Sequence, residues 1–268
     1  MRFFIVGMGR AGSSLFFSLR KRGHICLGYH SLKPHDDVDA EFYPDLQDIP
    51  QVDTIFFTVP DSLIPVVSEK VSRNRAHVFA HLSGSMPSNI FGREGVLSIH
   101  PIVSIGQRNM ELLGLPWTIE GDAKGQEMGK RIVEELDGRY YIIHSEDKPL
   151  YHAACVIGSN LVLTLLIHAG EILNGLGIEK SEVLRLAGSV INNMDRDGFD
   201  KAQTGPIERG DWETLRNDLI ALKKSYPYLF QSLANLILLN AHLVSREKGK
   251  EYEENVLSII SDVNSLRG

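Results

Sequence analysis

The feature that most constrains this chain is a glycine-rich turn close to its first residue. An apolar run from Arg2 to Val6 predicts a short strand, the sequence G-x-G-x-x-G follows it at residues 7–12, and a helix-forming stretch comes next. In such a turn Gly7 permits the tight bend, Gly9 lets the backbone approach a pyrophosphate, and Gly12 lets the helix pack on the strand. The N-terminus of that helix would attract phosphate groups. The order strand, glycine motif, helix predicts a dinucleotide site. The alternative is a glycine-rich turn of the same sequence pattern in another kind of α/β domain. The candidate cofactor contacts of this turn are Gly7, Met8, Gly9, Arg10, Ala11 and Gly12.

The end of the second predicted strand indicates which dinucleotide to expect. An NAD site usually places an acidic residue there to bind the ribose 2′-hydroxyl, whereas this chain has no acid before Asp36. Ser31 can hydrogen-bond a 2′-phosphate, while Lys33 and a protonated His30 would add positive charge, with Arg10 on the other side. We therefore expect NADP rather than NAD. The alternative is that His30 and Lys33 lie in an ordinary solvated loop.

Strands and helices alternate through the first half of the chain. Apolar segments predict strands at residues 53–59, 76–81, 95–99, 117–120 and 140–143, with a helix at 122–136. This alternation predicts an α/β, Rossmann-type, mostly parallel sheet. Ligands of such sheets bind beyond the carboxyl ends of the strands, so the segments that follow the strands are expected to line one crevice. Those segments contain Thr58, Val59, Pro60, Ser83 and His100, of which the first four are further candidate cofactor contacts.

The character of the sequence changes near Ser145, after which helical patterns predominate, among them a helix predicted at 212–224 with Asp211 as its N-cap. We expect an NADP-binding Rossmann-like domain at residues 1–144 and an all-α domain at 145–268, for substrate binding or dimerisation. The apolar stretch 153–167 is too short to span a bilayer and carries polar residues, so a buried core helix is expected. Because this stretch and 229–243 bury more easily against a partner, we expect a homodimer.

Composition bounds the partners and the compartment. The chain has 268 residues and a net charge of −6, which gives no reason to expect a nucleic-acid partner. Its two cysteines, Cys26 and Cys155, form neither a disulfide framework nor a metal spacing, and the histidines are scattered, so no structural metal is expected. No signal peptide is expected, since the glycine motif follows the first strand at once. We expect a soluble, cytoplasmic protein without a membrane partner.

Several motifs together resemble a known family. The chain reads V-P-D at 59–61, H-L-S-G-S at 81–85, S-I-H-P at 98–101, Y-H-A-A at 151–154 followed by S-N at 159–160, and T-G-P-I-x-R-G-D at 204–211. This order is similar to Rossmann-like, NADP-dependent oxidoreductases that carry a C-terminal helical domain of uncharacterised function. The resemblance covers nearly the whole chain and lies near the 6-phosphogluconate dehydrogenase-like superfamily, with pyrroline-5-carboxylate reductase, ketopantoate reductase and prephenate dehydrogenase as distant relatives. It implies NADP(H), an active site between two domains and often a dimer, but it does not imply a substrate.

The same resemblance exposes a departure in the catalytic residues. Many superfamily dehydrogenases carry a catalytic lysine four residues before an asparagine on the first long helix. If Asn160 matches that asparagine, the lysine position is Val156, which cannot donate a proton. Histidines remain as candidates because an imidazole suits proton transfer near neutral pH. We predict His152 as general acid/base and His100 as substrate orienter or alternate acid, because its His-Pro setting resembles a segment of prephenate dehydrogenases in which a histidine is catalytic.

Three further side chains complete the predicted site. Ser83 would hydrogen-bond the reacting group, while Ser159 and Asn160 would fix its orientation. His152 and Ser159 are seven residues apart and share a helix face. Each candidate has a structural alternative: either histidine could be satisfied by a neighbouring carbonyl, and Ser159 and Asn160 could satisfy one another.

Two classes of function follow from the sequence. The leading hypothesis is an NADP-dependent oxidoreductase that moves a hydride to or from a small carbonyl, imine or hydroxy compound in a cleft between the domains. The alternative is a non-catalytic NADP-binding sensor, which the missing lysine keeps open. Arg93, Arg108 and Lys148 could hold a substrate carboxylate, but each is expected to be a solvated surface charge.

Overall fold

The structure is a computed structural model that describes residues 1–199 and 202–266. It divides into two compact units, Met1–Leu165 and Leu166–Gly268. The domain boundary expected at residues 144 and 145 stays a prediction.

A seven-stranded sheet forms the centre of the first unit. Its strand order is β2-β1-β3-β4-β5-β6-β7, and every neighbouring pair is parallel except β5 with β6. The strands are β1 (Arg2–Val6), β2 (Ile25–His30), β3 (Val52–Phe57), β4 (Ala76–His81), β5 (Val96–Pro101), β6 (Pro116–Gly121) and β7 (Arg139–Ile142). The prediction of a Rossmann-type, mostly parallel sheet is confirmed.

The antiparallel pair was not expected. Residues 102–115, all of which the structure describes, contain no helix between β5 and β6. A parallel neighbour needs a long crossover connection, usually a helix, whereas a strand that returns through a loop lies antiparallel. The loop 102–115 therefore stays near the carboxyl ends of the parallel strands, where it contributes to the site.

Helices cover both faces of the sheet. Those of the first unit are α1 (Arg10–Lys21), α2 (Ile64–Ser68), α3 (Ala123–Glu135) and α4 (Lys148–Val156). Phe3, buried on β1, contacts Phe16 of α1 and Phe56 of β3, whereas Phe4 belongs to the core on the opposite face. Successive residues of a strand point to opposite faces, so one strand supplies both cores. Full burial of each such ring stabilises the fold by about 1.5–3 kcal/mol.

The strand order creates a switch point beside β1. The chain passes from β1 to β2 on one side and then places β3 on the other side of β1. In open α/β sheets, ligands bind beyond the carboxyl ends of the strands at such a reversal. The glycine turn follows β1 and residues 58–60 follow β3, so both flank this point.

One long helix runs from Ser145 to Gly175. It comprises a 3₁₀ turn at Ser145–Asp147, α4, a π-helical segment at Ile157–Leu161 and α5 (Val162–Gly175). Among the described residues this helix alone is long and apolar enough, by length and composition, to cross a membrane, with a mean hydropathy of 1.8 over an 18-residue window. Such a helix is weak evidence by itself. None of that window is buried within the chain, so the expectation of a buried core helix at 153–167 is wrong for the single chain.

In the described residues of the second unit, 166–199 and 202–266, helices are joined by short loops and there is no strand. Its core forms where three helices pack together, with Leu219, Phe230, Val256 and Val263 buried between them. The Asp211 carboxylate accepts a hydrogen bond from the Thr214 amide (3.2 Å) and caps the first of these helices, as predicted. The helices that follow α5 are α6 (Glu182–Asp197), α7 (Pro206–Arg209), α8 (Trp212–Ser225), α9 (Pro227–Lys248) and α10 (Glu251–Ser265). The predicted all-α second part is confirmed.

Candidate active site in the first unit

The glycine turn has the close packing that its sequence predicts. Gly7 has a φ of +103°, and a Cβ there would lie 2.8 Å from the Thr58 carbonyl carbon and the Val59 nitrogen. A Cβ on Gly12 would lie 2.0 Å from the Gly7 oxygen. Neither position can hold a larger residue without moving backbone, so these two glycines fix the turn against the end of β3.

Gly9 differs from these two glycines because it faces open space. A Cβ built on it meets no atom of the described chain within 4 Å. It precedes α1, no side chain of the described residues caps that helix end, and the first turn contains no acidic residue. The first amides of a helix lack partners within the helix and carry a partial positive charge. Open space beside uncapped amides is what a pyrophosphate requires, so the turn fits the predicted dinucleotide.

The segment after β3 supports the turn directly. The Thr58 hydroxyl donates to the Gly7 carbonyl (2.5 Å), and the Thr58 amide donates to the Val6 carbonyl (2.8 Å). Val59 is half-buried and Pro60 is exposed beside it. Thr58 therefore stabilises the glycine turn by hydrogen bonds, and the exposed Pro60 follows close behind it in the sequence.

The residues after β2 have mixed environments. The Nδ1 atom of His30 lies 2.8 Å from the Tyr43 carbonyl oxygen, so one of its two nitrogens is occupied by backbone. The Ser31 hydroxyl donates to the Lys33 carbonyl, and the Lys33 side chain is exposed. The exposed Lys33 side chain can therefore bind an anion, whereas His30 has only its Nε2 atom available for a ligand.

Two arginines approach the glycine turn from the β5–β6 loop and from α1. Arg108 donates to the Met8 carbonyl and to the Asp37 carboxylate (3.1 Å). This hydrogen bond holds the pKa of Asp37 below its usual range. Arg10 reaches the Gly106 carbonyl (3.4 Å). The expectation that Arg108 is only a solvated surface charge is therefore wrong: it links the glycine turn to the segment after β2.

Three serines of α1 fix the β5–β6 loop in place. The hydroxyls of Ser13, Ser14 and Ser18 accept hydrogen bonds from loop amides at 3.2, 3.0 and 2.9 Å. The donors are the amides of Asn109, Met110 and Leu112. Since these hydroxyls stand on one side of the helix, the loop is held along α1 and carries Arg108 to the turn.

A pocket of about 880 Å³ lies beside the end of β5. It is lined by the strand end at 100 and 102–104 and by one side of the long helix between 151 and 163. Four of the five predicted catalytic residues line it: His100, His152, Ser159 and Asn160. Val156 lines it too.

His100 is paired with a tyrosine that the sequence analysis did not single out. Its Nδ1 atom lies 2.6 Å from the Tyr151 hydroxyl, and a Cβ on Gly84 would come within 3.0 Å of its Nε2. Burial, followed by the charges of Lys148 and His152, lowers the pKa of His100 to about 4. Burial also raises the pKa of Tyr151 above its usual value. At neutral pH the pair is therefore uncharged.

The other pocket candidates lie on the long helix. His152 is exposed in the pocket wall. The Ser159 hydroxyl donates to the Cys155 carbonyl (2.6 Å) and to the Asn160 side-chain oxygen (3.1 Å). Ser159 and Asn160 belong to the π-helical segment. Such a local widening of a helix is frequent at functional sites. Ser159 is thus satisfied within the helix, while Asn160 stays exposed.

Ser83 lies away from the pocket wall. Its hydroxyl donates to the Asp61 carboxylate (2.6 Å), which also accepts from Ser85 (2.9 Å). It does not line the pocket with the other four candidates. Its carbonyl instead takes part in a second polar cluster.

That second cluster centres on Lys148, which is fully buried. Its Nζ donates to the Ser83 carbonyl (3.1 Å) and to the Ser98 hydroxyl (2.7 Å). Burial lowers the pKa of Lys148 to about 8, opposed by the carboxylates of Glu120 and Asp61. The expectation of a solvated surface charge at Lys148 is wrong. The signal that could have found it is the spacing of Lys148, Tyr151 and His152, which places all three on one side of α4.

Comparisons with known proteins agree with this fold. Residues 115–237 match a family described as a domain of unknown function, DUF2520. Protein TM1727 from Thermotoga maritima is 27% identical with a TM-score of 0.75, over 92% of this chain and 99% of that one. BF3122 from Bacteroides fragilis, named as a proposed NADP oxidoreductase, is 20% identical with a TM-score of 0.70, over 97% and 98%.

A more distant structure is similar over its whole length. Pyrroline carboxylate reductase from Plasmodium falciparum, crystallised with NADP bound, is 12% identical with a TM-score of 0.56, over 98% of this chain and 95% of that one. No curated protein matches the sequence. The resemblance expected from the motifs is thereby confirmed for the fold: the chain has the Rossmann-like fold of these solved structures, and its residues 115–237 match the DUF2520 domain.

Proposed function

We propose that the protein is an NADP-dependent oxidoreductase that moves a hydride to or from a small carbonyl, imine or hydroxy compound. The observation that carries the proposal is the glycine turn at the switch point, where Gly9 leaves open space beside the uncapped end of α1. A pocket that contains two histidines and a tyrosine in a largely apolar wall lies in the same unit. The nicotinamide, when bound, supplies or accepts the hydride. The residues of this chain hold the cofactor, orient the substrate and move a proton.

The direct test is a fluorescence titration of the purified protein with NADPH and, separately, with NADH. Tight binding with a preference for NADPH is expected, because Ser31 and Lys33 suit a 2′-phosphate and no acidic residue stands at the end of β2 to bind a ribose 2′-hydroxyl. Binding of either cofactor would then justify a screen of small oxo acids and imines for NADPH oxidation. Failure to bind either one would overturn the proposal before any substrate is tried.

The preference for NADP rests on cations beside the turn. Lys33 is exposed after β2, and Arg108 lies between the Met8 carbonyl and Asp37. We expect Arg108→Met to weaken NADPH binding about tenfold, because one hydrogen bond to a charged group contributes about 1.5 kcal/mol. NADH binding should change less than about twofold on the same scale.

The matched control for that prediction is Arg131→Met. Arg131 is exposed on α3 and pairs with Glu135 (3.0 Å), so the variant removes the same charge away from the turn. If Arg108→Met lowers the affinity for NADPH and for NADH equally, Arg108 stabilises the loop and does not contact the 2′-phosphate.

We assign the proton transfer to the pocket wall. His152 is exposed there and can deliver a proton to a reacting oxygen or nitrogen, as the general acid of the reductive direction. His100 is uncharged at neutral pH, which suits orientation of the substrate through hydrogen bonds better than donation as an imidazolium. Asn160, exposed in the pocket wall, can orient the substrate. Ser159 donates to a carbonyl of its own helix and Ser83 donates to Asp61 away from the pocket, so neither contacts the substrate in this scheme.

A non-catalytic, NADP-binding sensor is the second candidate. The observation that favours it is Val156, an apolar residue in the pocket wall at the position where relatives would carry a lysine. A sensor would bind NADPH without turning over any substrate in the screen. NADP would instead change its oligomeric state or its affinity for another protein.

We further propose that the chain forms a homodimer through the long helix. Ile157 is 61% exposed and Leu163 is 57% exposed on that helix, among other large apolar side chains. Burial of each such side chain would contribute about 1.5–3 kcal/mol, so a second copy with the same apolar face is a favourable partner. Light scattering at micromolar concentration should give the mass of a dimer.

The variant Ile157→Glu should shift the protein toward the monomer, because it places a charge in the proposed interface. Leu32→Glu is its control, since Leu32 is a fully exposed apolar residue on the loop after β2. A wild-type protein that is monomeric at micromolar concentration would refute the dimer.

A further inference from the structure

Helix α4 and strand β5 are joined by two parallel contacts. Lys148 and Tyr151 are three residues apart on the helix, so they share a side of it, and Ser98 and His100 share a face of the strand. The ammonium of Lys148 lies 2.7 Å from the Ser98 hydroxyl. The Tyr151 hydroxyl lies 2.6 Å from Nδ1 of His100. The first contact is buried, and the second opens on the pocket.

We propose that Lys148 is a positioning residue for this pocket: its ammonium, held between the Ser83 carbonyl and the Ser98 hydroxyl, docks α4 on β5 and on the segment after β4, and so sets the Tyr151 hydroxyl against His100. It is a different residue from the lysine of the superfamily dehydrogenases, whose position is Val156. The docking of α4 does not depend on the proposed oxidoreductase function. The expected effect of Lys148 on kcat does rest on that function.

The cost of burying an ammonium supports a specific role. A charged group loses its hydration on burial, and the fold tolerates it only where hydrogen bonds and opposite charges compensate. Lys148 has two acceptors within hydrogen-bond distance, and the Glu120 and Asp61 carboxylates favour its charged form. Its pKa, lowered to about 8, keeps it mostly protonated at neutral pH. A positive charge therefore persists behind the pocket wall.

The charge acts on His100, which is surrounded by titratable groups from several elements. Burial is the main reason why the pKa of His100 is low. Lys148 and His152 on α4 lower it further, whereas Asp61, which follows β3, raises it. His81 on β4 is a further neighbour, itself uncharged at neutral pH because burial and Lys148 lower its pKa to about 4. Tyr151 contacts His100 directly and keeps its proton.

The result is a hydrogen-bonding pair with no net charge at the edge of the pocket. If Tyr151 donates to Nδ1, the opposite nitrogen of His100 carries a hydrogen. If His100 donates, the hydroxyl of Tyr151 is free to donate to a ligand. Either arrangement offers one donor without adding a charge, which suits the oxygen or nitrogen of an uncharged carbonyl or imine.

The test measures the titration of the His100 imidazole by NMR in the unliganded, full-length protein. The variant Lys148→Met removes the positive charge and keeps a side chain of similar length. The midpoint of His100 should rise in this variant, because the charge of Lys148 adds to burial in disfavouring the imidazolium. Lys148→Arg, which keeps the charge, should leave the midpoint low. Lys70→Met is the matched control, because it removes an exposed lysine at the end of α2.

A second variant covers the case in which Lys148→Met fails to fold. Ser98→Ala removes one of the two acceptors that hold the ammonium. The NMR shifts of the Tyr151 and His100 side chains should then change, because α4 loses part of its contact with β5, whereas Lys70→Met should leave them at their wild-type values. An unchanged His100 midpoint in a folded Lys148→Met protein overturns the proposal, and so do unchanged shifts in Ser98→Ala when Lys148→Met does not fold.

A kinetic readout separates positioning from simple structural support. Once a substrate is known, Lys148→Met should lower kcat at least tenfold with NADPH affinity within twofold of wild type, and Lys148→Arg should restore the low His100 midpoint but only part of kcat. Failure of NADPH to bind the wild-type protein would remove the proposed function, yet the His100 titration would still decide the role of Lys148.

Discussion

Replacing Gly9 with aspartate is expected to abolish NADPH binding without loss of the fold. Gly9 has extended backbone angles (φ −75°, ψ −159°), and a Cβ there meets no atom of the described chain within 4 Å, so the backbone accepts a larger residue. Aspartate is also a favourable residue before a helix, and its charge complements the helix N-terminus. The free energy of unfolding should therefore stay the same or rise by about 0.5 kcal/mol.

The same carboxylate would stand where a pyrophosphate has to approach. It would compete for the first amides of α1 and repel the phosphate charges, so affinity for NADPH should fall at least about 100-fold, equivalent to about 2.7 kcal/mol. Fluorescence titration measures the affinity, and thermal unfolding checks the fold. Few substitutions combine an unchanged or raised stability with such a loss, which makes this variant diagnostic.

Gly188→Asp provides the control for the added charge. A Cβ on Gly188 in α6 also meets no atom of the described chain within 4 Å, and this glycine lies outside the turn. The Gly188→Asp variant should bind NADPH with the affinity of the wild-type protein. If Gly9→Asp binds NADPH as tightly as wild type does, the turn does not hold a pyrophosphate, and the cofactor assignment falls with it.

The regular elements could be predicted because local pattern determines them. The strand predicted at 76–81 is found at Ala76–His81, and the helix predicted at 212–224 is found at Trp212–Ser225. Apolar runs and N-terminal caps are local signals, and tertiary contacts did not override them here. The antiparallel direction of β6 was not visible, because it depends on the path of a loop that carries no periodic pattern.

The site was predicted in part for the same reason. His100, His152, Ser159 and Asn160 were grouped from strand ends and helix spacing, and the structure places all four around one pocket. Their roles remain predictions. The burial of Lys148 could not be read from the sequence, because it arises only when α4 docks on β5.

Arg108 illustrates the limit at longer range. It lies 100 residues after Met8, whose carbonyl it contacts. Three serine hydroxyls of α1 bring the intervening loop back along the helix, and nothing in the periodicity of either segment indicates this pairing. From the sequence alone, an arginine that binds a distant backbone carbonyl cannot be distinguished from an arginine that is exposed to solvent.

Replacing His152 with alanine is expected to lower turnover about 100-fold or more, since general acid–base catalysis contributes about 10²–10⁴. NADPH affinity should stay within about twofold, because His152 lies in the pocket wall and not at the glycine turn. The fold should tolerate the change, since the side chain is exposed. Steady-state kinetics with a substrate from the screen, together with the NADPH titration, would measure both quantities on one preparation.

Tyr151→Phe gives this experiment its discriminating partner. It removes only the hydroxyl that meets His100, and it leaves the helix and the pocket volume nearly unchanged. If His152 donates the proton, Tyr151→Phe should raise KM more than it lowers kcat, because the tyrosine then orients the substrate. If instead His152→Ala keeps wild-type turnover and Tyr151→Phe loses it, the proton comes from the Tyr151–His100 pair. That outcome would move the catalytic role to the two residues that Lys148 positions.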